Sequence, residues 1–600
     1  MCGIIGCVGR AGETLDVLVH GLSKLEYRGY DSAGVALTGD RVDICKQSGK
    51  IEELREALES RSLSGAAGIG HTRWSTHGPP TDENAHPHLD CAGDVAVVHN
   101  GIIENYQALR DELVSASHTF RSDTDTEVVS HLVEDERAAG ADPEAAVRAA
   151  IARLEGSYAI AVVVAGSDEV YAARNDSPLV LGVDDEGGPD AYYLASAVPA
   201  FRDHTDRVVY LDDGEFVTLS ADGYRVTDLD GTAAEKTVDT VDWDPEETGK
   251  SGYDHFMLKE IHEQPRAIRQ CLRSRVDELS ASVDIGDLGD LSPTGIQFVA
   301  CGTSFHAALH GAQVFREAGV PAQAFLAHEY AVSQPPVGDA LVVGVTQSGE
   351  TADTLSALRE ARKCGARTLA VTNVVGSTAA RECDHALYIR AGPEIGVAAS
   401  KTFASQLVAL NLLALGTTRV SGARELIAAL RDLPGDVQAV LDDSEAERVA
   451  GEYVDADGYF FIGRDYQYPV ALEGALKMKE ITYKHAEGFA AGELKHGTLA
   501  LVTENTPVFA VVVGDGEDAT KTVGNVKEVE ARDAPVVAVT DGRSDVERYA
   551  DHVLEIPETH PHAAAVLASV QLQLMAYHVA NELGRSIDKP RNLAKSVTVE

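Results

Sequence analysis

A cysteine stands directly behind the initiator methionine, in MCGIIGCVG, ahead of an apolar strand. Three roles compete for it. Free cysteine packs as a small hydrophobe, so a core position is the plain reading. A lipid anchor needs other flanking sequence, and no apolar signal segment precedes Cys2. The third role is a nucleophile uncovered when Met1 is removed. A thiol titrates near ~8.5 and an α-amine near ~7.7–8.0, so the neutral amine of a terminal cysteine can serve as its own base. Nucleophile and base then share one residue.

Four stretches of the first half carry chemistry that suits such a thiol: RGYDSAG (28–34), HTRWSTHG (71–78), VVHNGIIEN (97–105) and SDTDTE (122–127). Each has a plain structural reading. Asn-Gly makes hairpin turns, Asp125 can cap a helix, and histidines beside aromatics pack. Together they supply what amide cleavage needs. Asn100 and the Gly101 amide can hold a tetrahedral oxyanion. An arginine and an aspartate can grip the two charged ends of an amino acid.

The second half carries different chemistry. CGTS (301–304) and TQSGET (346–351) each follow a strand and open a helix. Helix N-termini offer unpaired amides and a partial positive charge, which suits a phosphate. Ser304, Thr346, Gln347, Ser348 and Thr351 add side-chain donors. No Gly-rich loop ending in Lys-Ser/Thr is present, which argues against a nucleotide P-loop. Farther on, Lys477, Glu480 and His496 are candidate acid/base groups. A lysine can form a Schiff base with a sugar carbonyl, but chemistry alone does not choose among Lys401, Lys477, Lys479, Lys495 and Lys595.

Six hundred residues need several cores. To about residue 240, short alternating runs such as VAVVHNG and YAIAVVV predict a largely β architecture with few helices. Beyond a polar linker at 241–255, apolar strands alternate with amphipathic helices, which predicts a parallel sheet covered on both faces. The layout of IQFVACGTSFHAALHGAQVF returns about 160 residues later in GYFFIGRDYQYPVALEGALKMKE, so two similar α/β subdomains are expected, at 256–440 and 441–590, before a tail at 591–600. No run approaches the ~18 apolar residues of a membrane span. The eight cysteines are scattered without a C-x-x-C pair, which argues against a disulfide framework or a zinc site and fits a reducing cytoplasm. The net charge of −44 repels nucleic acid and anionic membrane, and its dispersal fits adaptation to a high-salt cytoplasm.

The first-half motifs resemble the class II glutamine amidotransferases, whose N-terminal-nucleophile αββα sandwich cuts glutamine to glutamate and ammonia. Cys2, Arg73, Thr76, His77, Asn100, Gly101 and Asp125 match. The resemblance implies that Arg73 and Asp125 bind the glutamine carboxylate and amine, and that Arg28 helps close the site over L-glutamine. The whole chain, through EYRGYDSAG, CGTS, QSGETADT, EIGVAASK, ALEGALKMKE, AGELKHG and PRNLAKSVTVE, resembles the isomerizing glutamine–fructose-6-phosphate aminotransferases. That family joins the glutaminase domain (here 1–240) to two flavodoxin-like sugar-isomerase subdomains. It implies amination and isomerisation of D-fructose 6-phosphate to D-glucosamine 6-phosphate, the entry to amino-sugar synthesis, by a cytoplasmic homodimer without metal or organic cofactor.

The same resemblance assigns roles. His496 opens the sugar ring, from this subunit or its neighbour. Lys595 forms the imine at C2, Glu480 moves the proton between C1 and C2, and Lys477 assists. Ser304, Thr346, Gln347, Ser348 and Thr351 hold the phosphate, and Val397 lines the sugar site. Trp74 gates an ammonia channel, and the tail closes over the sugar. Two positions depart from the pattern. Thr346 replaces a usual serine and keeps the hydroxyl. Ala399 and Ser400 stand where Ser and Thr are common, which removes any hydroxyl contact from position 399. An amidotransferase acting on phosphoribosyl pyrophosphate would need paired acids before a Thr/Gly loop, and none is found in the second half. A phosphosugar sensor would need neither Cys2 nor Lys595.

Overall fold

Alternation along single strands explains the first unit. In the strand Gly3–Val8, Ile4 and Val8 face one side while Ile5 and Cys7 face the other, and all are buried. A strand apolar on both faces must lie between two layers. It sits inside an eight-stranded sheet, antiparallel to Ala67–Arg73 and to Ala191–Ala195. A six-stranded sheet, in which Val95–Ile103 pairs antiparallel with Gly156–Val164, contributes Val98, Ala161 and Val163 to the core shared with Ile4 and Val8. The outer face of the first sheet buries Ile5 and Cys7 under the helix Thr14–Leu25. The outer face of the second buries Val97 and Ile160 under the helices Tyr106–Ser115, Glu127–Ala138 and Pro143–Ile151. The layers run αββα. Burial pushes the Cys7 thiol up to about 12, so the core role weighed for Cys2 belongs to Cys7.

The computed structural model describes every residue except Met1, Ser62, Thr76, 186–189, 242–248, 278–281 and 598–600. The candidate Thr76, part of the linker expected at 241–255 and the end of the tail expected at 591–600 lie outside the described residues. By its internal contacts the chain divides into Met1–Pro245 with Ser596–Glu600, and Glu246–Lys595.

The second unit holds two five-stranded parallel sheets, each ordered second, first, third, fourth, fifth strand. Their first strands are Ile296–Ala300 and Gly458–Gly463. The helices that follow, Gly302–Glu317 and Gln467–Thr482, are 16 residues each. In this order the crossover direction reverses between the first and third strands, and loops at the carboxyl ends of those two strands flank a crevice. One hydrophobic cluster runs through both sheets, joined by the helices Lys401–Thr417 and Pro561–Glu582. The latter is apolar and long enough to cross a membrane, yet 94% of its apolar window is buried inside the protein, as befits a central helix with no polar face. It was missed as an apolar run because His562, Gln571, Gln573 and His578 interrupt it.

Candidate active sites

Cys2 lies at the head of the central strand of the first unit. Its Sγ accepts a hydrogen bond from Trp74 N at 3.2 Å, and its carbonyl accepts one from Asn100 Nδ2 at 3.0 Å. The thiol is raised, chiefly by burial; the Trp74 amide and the Arg73 charge oppose this. A thiol so placed stays protonated at neutral pH. Glycine makes room around it. A Cβ on Gly29 of RGYDSAG would lie 2.6–2.7 Å from the Arg73 and Trp74 backbone, so only glycine lets this loop close on the cysteine's partner strand. The same loop brings Asp31, which accepts from Ser75 N at 2.8 Å, and Tyr30, whose ring meets Trp74 edge-on at 5.7 Å. Arg28 is buried beside them, with Nε 3.2 Å from Tyr27 Oη.

Asn100 keeps one of its two amide protons for a ligand, because Cys2 takes only the other. Its Oδ1 accepts from His71 Nε2 at 3.1 Å, which fixes the amide's orientation. Gly101 has φ +125°, and a Cβ there would stand 2.0 Å from Ser157 O, so no other residue fits. Arg73 is buried, and its guanidinium donates to the carbonyls of His77, Gly78 and Pro79. The His77 ring meets Tyr106 edge-on. Asp125 does not cap the helix Glu127–Ala138. Its Oδ2 accepts from Ile103 N at 2.9 Å, tying the segment before that helix to the strand that bears Asn100 and Gly101.

A run of buried histidines backs this strand. His71 stacks on His86 at 4.2 Å, His86 meets His88 at 4.6 Å, and His99 Nδ1 lies 2.9 Å from Thr126 Oγ1. Burial lowers His71 to about 3 and holds His86 and His88 well below 6.5. Unfolded histidines take up protons as pH falls through ~6.5 and the folded ones do not, so their contribution is intact above 6.5 and is lost below it. We expect stability to fall between pH 6.5 and 3 by up to ~1.4 kcal/mol per pH unit for each neutral ring. Thermal melting across that range should flatten in His88→Gln. An unchanged slope would mean that His88 is charged when folded.

In the second unit, Ser304 sits in the first turn after the first strand, and TQSGET follows the third strand, Leu341–Thr346, so the two flank the crevice. Thr346 Oγ1 lies 3.2 Å from Thr351 Oγ1 and accepts from Gly349 N at 3.2 Å. Ser348 Oγ accepts from Glu350 N at 3.1 Å. Gly349 has φ +69°, and a Cβ would stand 2.1 Å from Ser377 Oγ, which pins the loop. Gln347 holds the loop by its carbonyl, which accepts from Asn373 N at 3.1 Å. Neither helix start uses these hydroxyls as a cap: Thr351 precedes Ala352–Lys363 without a side-chain cap, and Ser304 Oγ accepts from Gln406 at 2.9 Å. The equivalent loop of the second sheet, VGDGED (513–518), carries acids that would repel a phosphate.

Lys477 is fully buried, with Nζ 2.6 Å from Glu480 Oε2, 3.3 Å from Glu473 Oε1 and 3.1 Å from Thr303 Oγ1. Burial disfavours its charge, but the Glu473 and Glu480 carboxylates outweigh burial and hold it above the usual lysine range. Glu473 also accepts from Thr303 Oγ1 and His306 Nδ1. Thr303 immediately precedes Ser304, so the Lys477–Glu480 pair on the second subdomain's first helix is anchored one residue from Ser304 on the first helix of the first. Motif reading missed Thr303, His306 and Glu473 because their roles come from a contact across some 170 positions.

Lys595 Nζ is buried 2.5 Å from Glu394 Oε2 and 2.7 Å from Gly396 O. Val397 N donates to Asp588 O, next to this pair. Of the other lysines, Lys401 is paired with Glu263 at 2.6 Å, while Lys479 and Lys495 are exposed. His496 is exposed, past a short helical turn Ala491–Lys495, and the described contacts do not join its ring to Lys477 or Lys595.

Comparison with known proteins accords with this two-part plan. The chain matches the glutamine amidotransferase domain family over residues 71–203 and the SIS domain family over 292–416 and 452–582. It is 51% identical over 619 residues to the glutamine–fructose-6-phosphate aminotransferase [isomerizing] of Halobacterium salinarum, covering all of both chains. It is 48% identical, again at full coverage of both, to the protein of that name from Methanothermobacter thermautotrophicus. Among solved structures, the C-terminal domain of glucosamine-fructose-6-phosphate aminotransferase from Francisella tularensis covers 57% of this chain and 99% of its own, at 36% identity and a TM-score of 0.53. Likeness at this level spans the full length of the chain, and the chain belongs to the isomerizing glutamine–fructose-6-phosphate aminotransferase family.

Proposed function

We propose that this protein uses L-glutamine to convert D-fructose 6-phosphate into D-glucosamine 6-phosphate, releasing L-glutamate. Family membership supports the overall reaction, and the Thr303 contact, which sets the Lys477–Glu480 pair beside the phosphate-side loop, is the observation that carries the sugar half. With Met1 removed, the Cys2 α-amine takes the thiol proton and Sγ adds to the glutamine carboxamide carbon. Asn100 Nδ2 and the Gly101 amide hold the oxyanion. The C–N bond breaks, the proton leaves with ammonia, and water cleaves the thioester to glutamate. Arg73, Asp125, Arg28, Thr76 and His77 form the glutamine pocket, and Trp74 gates the ammonia path.

The phosphate of the sugar is held by Ser304, Thr346, Gln347, Ser348 and Thr351, with Val397 lining the site. His496 assists ring opening, and Lys595 condenses with the C2 ketone and loses water. Ammonia displaces Lys595, and Glu480, steadied by Lys477, takes a proton from C1 and returns one to C2. The test is an assay of purified protein with glutamine and fructose 6-phosphate, following glutamate and the amino sugar together. Both products in equal amount support the scheme; glutamate alone removes the sugar half.

The active protein is a cytoplasmic homodimer in this reading, and an exposed His496 fits donation to a neighbouring subunit's sugar. Co-expressed His496→Ala and Glu480→Gln chains, each inactive alone, should then regain roughly a quarter of normal activity through mixed dimers. No recovery would place His496 in its own subunit's site. The acidic surface is read as an adaptation to salt, so melting temperature should rise steeply with potassium chloride as screening relieves repulsion. A melting temperature independent of salt would remove that reading.

A further inference from the structure

We propose that Cys91, His118, His131 and Glu134 form a binding site for a divalent transition metal of the zinc class, a structural clamp within the first unit. No zinc spacing was legible in the sequence, because the four residues come from three separate segments. Cys91 lies in the turn between the strands His88–Leu89 and Val95–Ile103. His118 follows the helix Tyr106–Ser115. His131 and Glu134 stand three residues apart on the helix Glu127–Ala138, hence on one face.

Their ligand atoms converge. Cys91 Sγ is 3.6 Å from Nδ1 of both His118 and His131. Glu134 Oε2 is 3.0 Å from the first Nδ1 and 3.1 Å from the second. All four atoms lie within 4.8 Å of one another. Tetrahedral zinc, with bonds of ~2.3 Å to sulfur and ~2.0–2.1 Å to nitrogen and oxygen, sets S···N near about 3.6 Å and N···O near about 3.3 Å. The sulfur distances already fit, and the carboxylate has to move out by about 0.3 Å.

The surroundings fit a metal as well. His118 Nε2 lies 2.9 Å from Asp135 Oδ1, and His131 Nε2 lies 3.7 Å from Glu127 Oε1. The carboxylate behind His118 keeps the proton on its Nε2 and leaves the Nδ1 lone pair for a cation, while His131 Nε2 makes no hydrogen bond of its own. Thr119 N points at Cys91 Sγ from 3.5 Å, a contact that favours thiolate. The His131 side chain is 1% exposed, which keeps bulk water from one side of the cluster.

The clamp has a mechanical consequence. It would tie the strand that presents Asn100 and Gly101 to the helix that follows Asp125, so both ends of the glutamine pocket would share one fastening. The rival for the same geometry is an ionic cluster of the two histidines among three carboxylates, in which Cys91 takes part only through its amide, which donates to Glu134 Oε2 at 3.1 Å.

The experiment uses full-length Cys2→Ala protein, in which the Cys2 thiol cannot contribute, stripped with a chelator and titrated with Co²⁺. The expected result is one Co²⁺ per chain with thiolate charge-transfer and tetrahedral visible bands, displaced by Zn²⁺. Adding Cys91→Ser, a nearly isosteric change at an exposed position, should abolish the charge-transfer band. His118→Gln should weaken Zn²⁺ at least about tenfold in chelator competition. Cys301→Ser, in a three-residue group with His328 and Asp353, should change nothing. Zn²⁺ should raise the melting temperature of the parent and leave Cys91→Ser unmoved. Absence of the bands in the folded parent, or their survival in Cys91→Ser, would overturn the site and leave the ionic cluster.

Discussion

Cys2→Ala protein should form neither glutamate nor amino sugar from glutamine, a loss of about 10⁴–10⁶-fold, in the range seen when a nucleophile is removed from a catalytic unit. It should fold normally, because the Sγ contributes one hydrogen bond from Trp74 N and a contact to Trp74 O. Ammonium salt at alkaline pH should restore amino-sugar formation in this variant, since free ammonia then replaces the product of the first site. The raised thiol adds a second arm. A protonated sulfur needs the α-amine as base, so a form that retains Met1, with that amine locked in a peptide bond, should fail as completely as Cys2→Ala and be rescued by ammonia in the same way. Residual glutamate from Cys2→Ala above the uncatalysed rate would return Cys2 to a packing role. An active form that retains Met1 would assign the base elsewhere.

The fold was legible wherever local pattern carries the information. Ile4, Ile5, Cys7 and Val8 encode a strand apolar on both faces, and the strand–loop–helix layout repeated at about 160 residues encodes two sheets of one topology. What local pattern does not carry is sharing. Two similar subdomains were expected from layout alone, and one hydrophobic cluster runs through both, because Lys401–Thr417 and Pro561–Glu582 are buried on nearly every face. The candidate sites divide in the same way. Residues inside contiguous motifs could be named, but their partners could not. Glu394 was in view within EIGVAASK, yet its role rests on a lysine 201 positions away. For Asp125 the plain structural alternative was a helix cap; its carboxylate accepts from a strand amide instead. The histidines around His71 looked like ordinary packing, and His71 itself also orients the Asn100 amide.

Lys595→Arg should remove amino-sugar synthesis by about 10⁴-fold or more while leaving the protein folded and glutamine hydrolysis measurable. Glu394 is buried and yet held well below the usual carboxylate range. Burial alone would raise it, but Lys595 and hydrogen bonds from Ser400 N, Thr402 N and Thr402 Oγ1 outweigh burial. Behind it Glu260, raised to about 7 by burial and by the Glu394 charge, accepts from Gly396 N. Lys595 therefore rests against a carboxylate, and its nitrogen must break from Glu394 before it can attack a ketone. Arginine keeps the charge opposite Glu394 but cannot form an imine, so it separates the two roles. Lys595→Ala does not separate them. It leaves a buried carboxylate unpaired, which typically costs about 3–5 kcal/mol, so that variant should melt earlier as well as fail in synthesis. Borohydride added with fructose 6-phosphate should trap a sugar adduct on the parent at Lys595 and none on Lys595→Arg. If Lys595→Arg still made amino sugar at more than a few per cent of the parent rate, the lysine would be an ion-pair strut. The imine would then have to be sought at Lys477, which can free its nitrogen only by breaking from both Glu473 and Glu480.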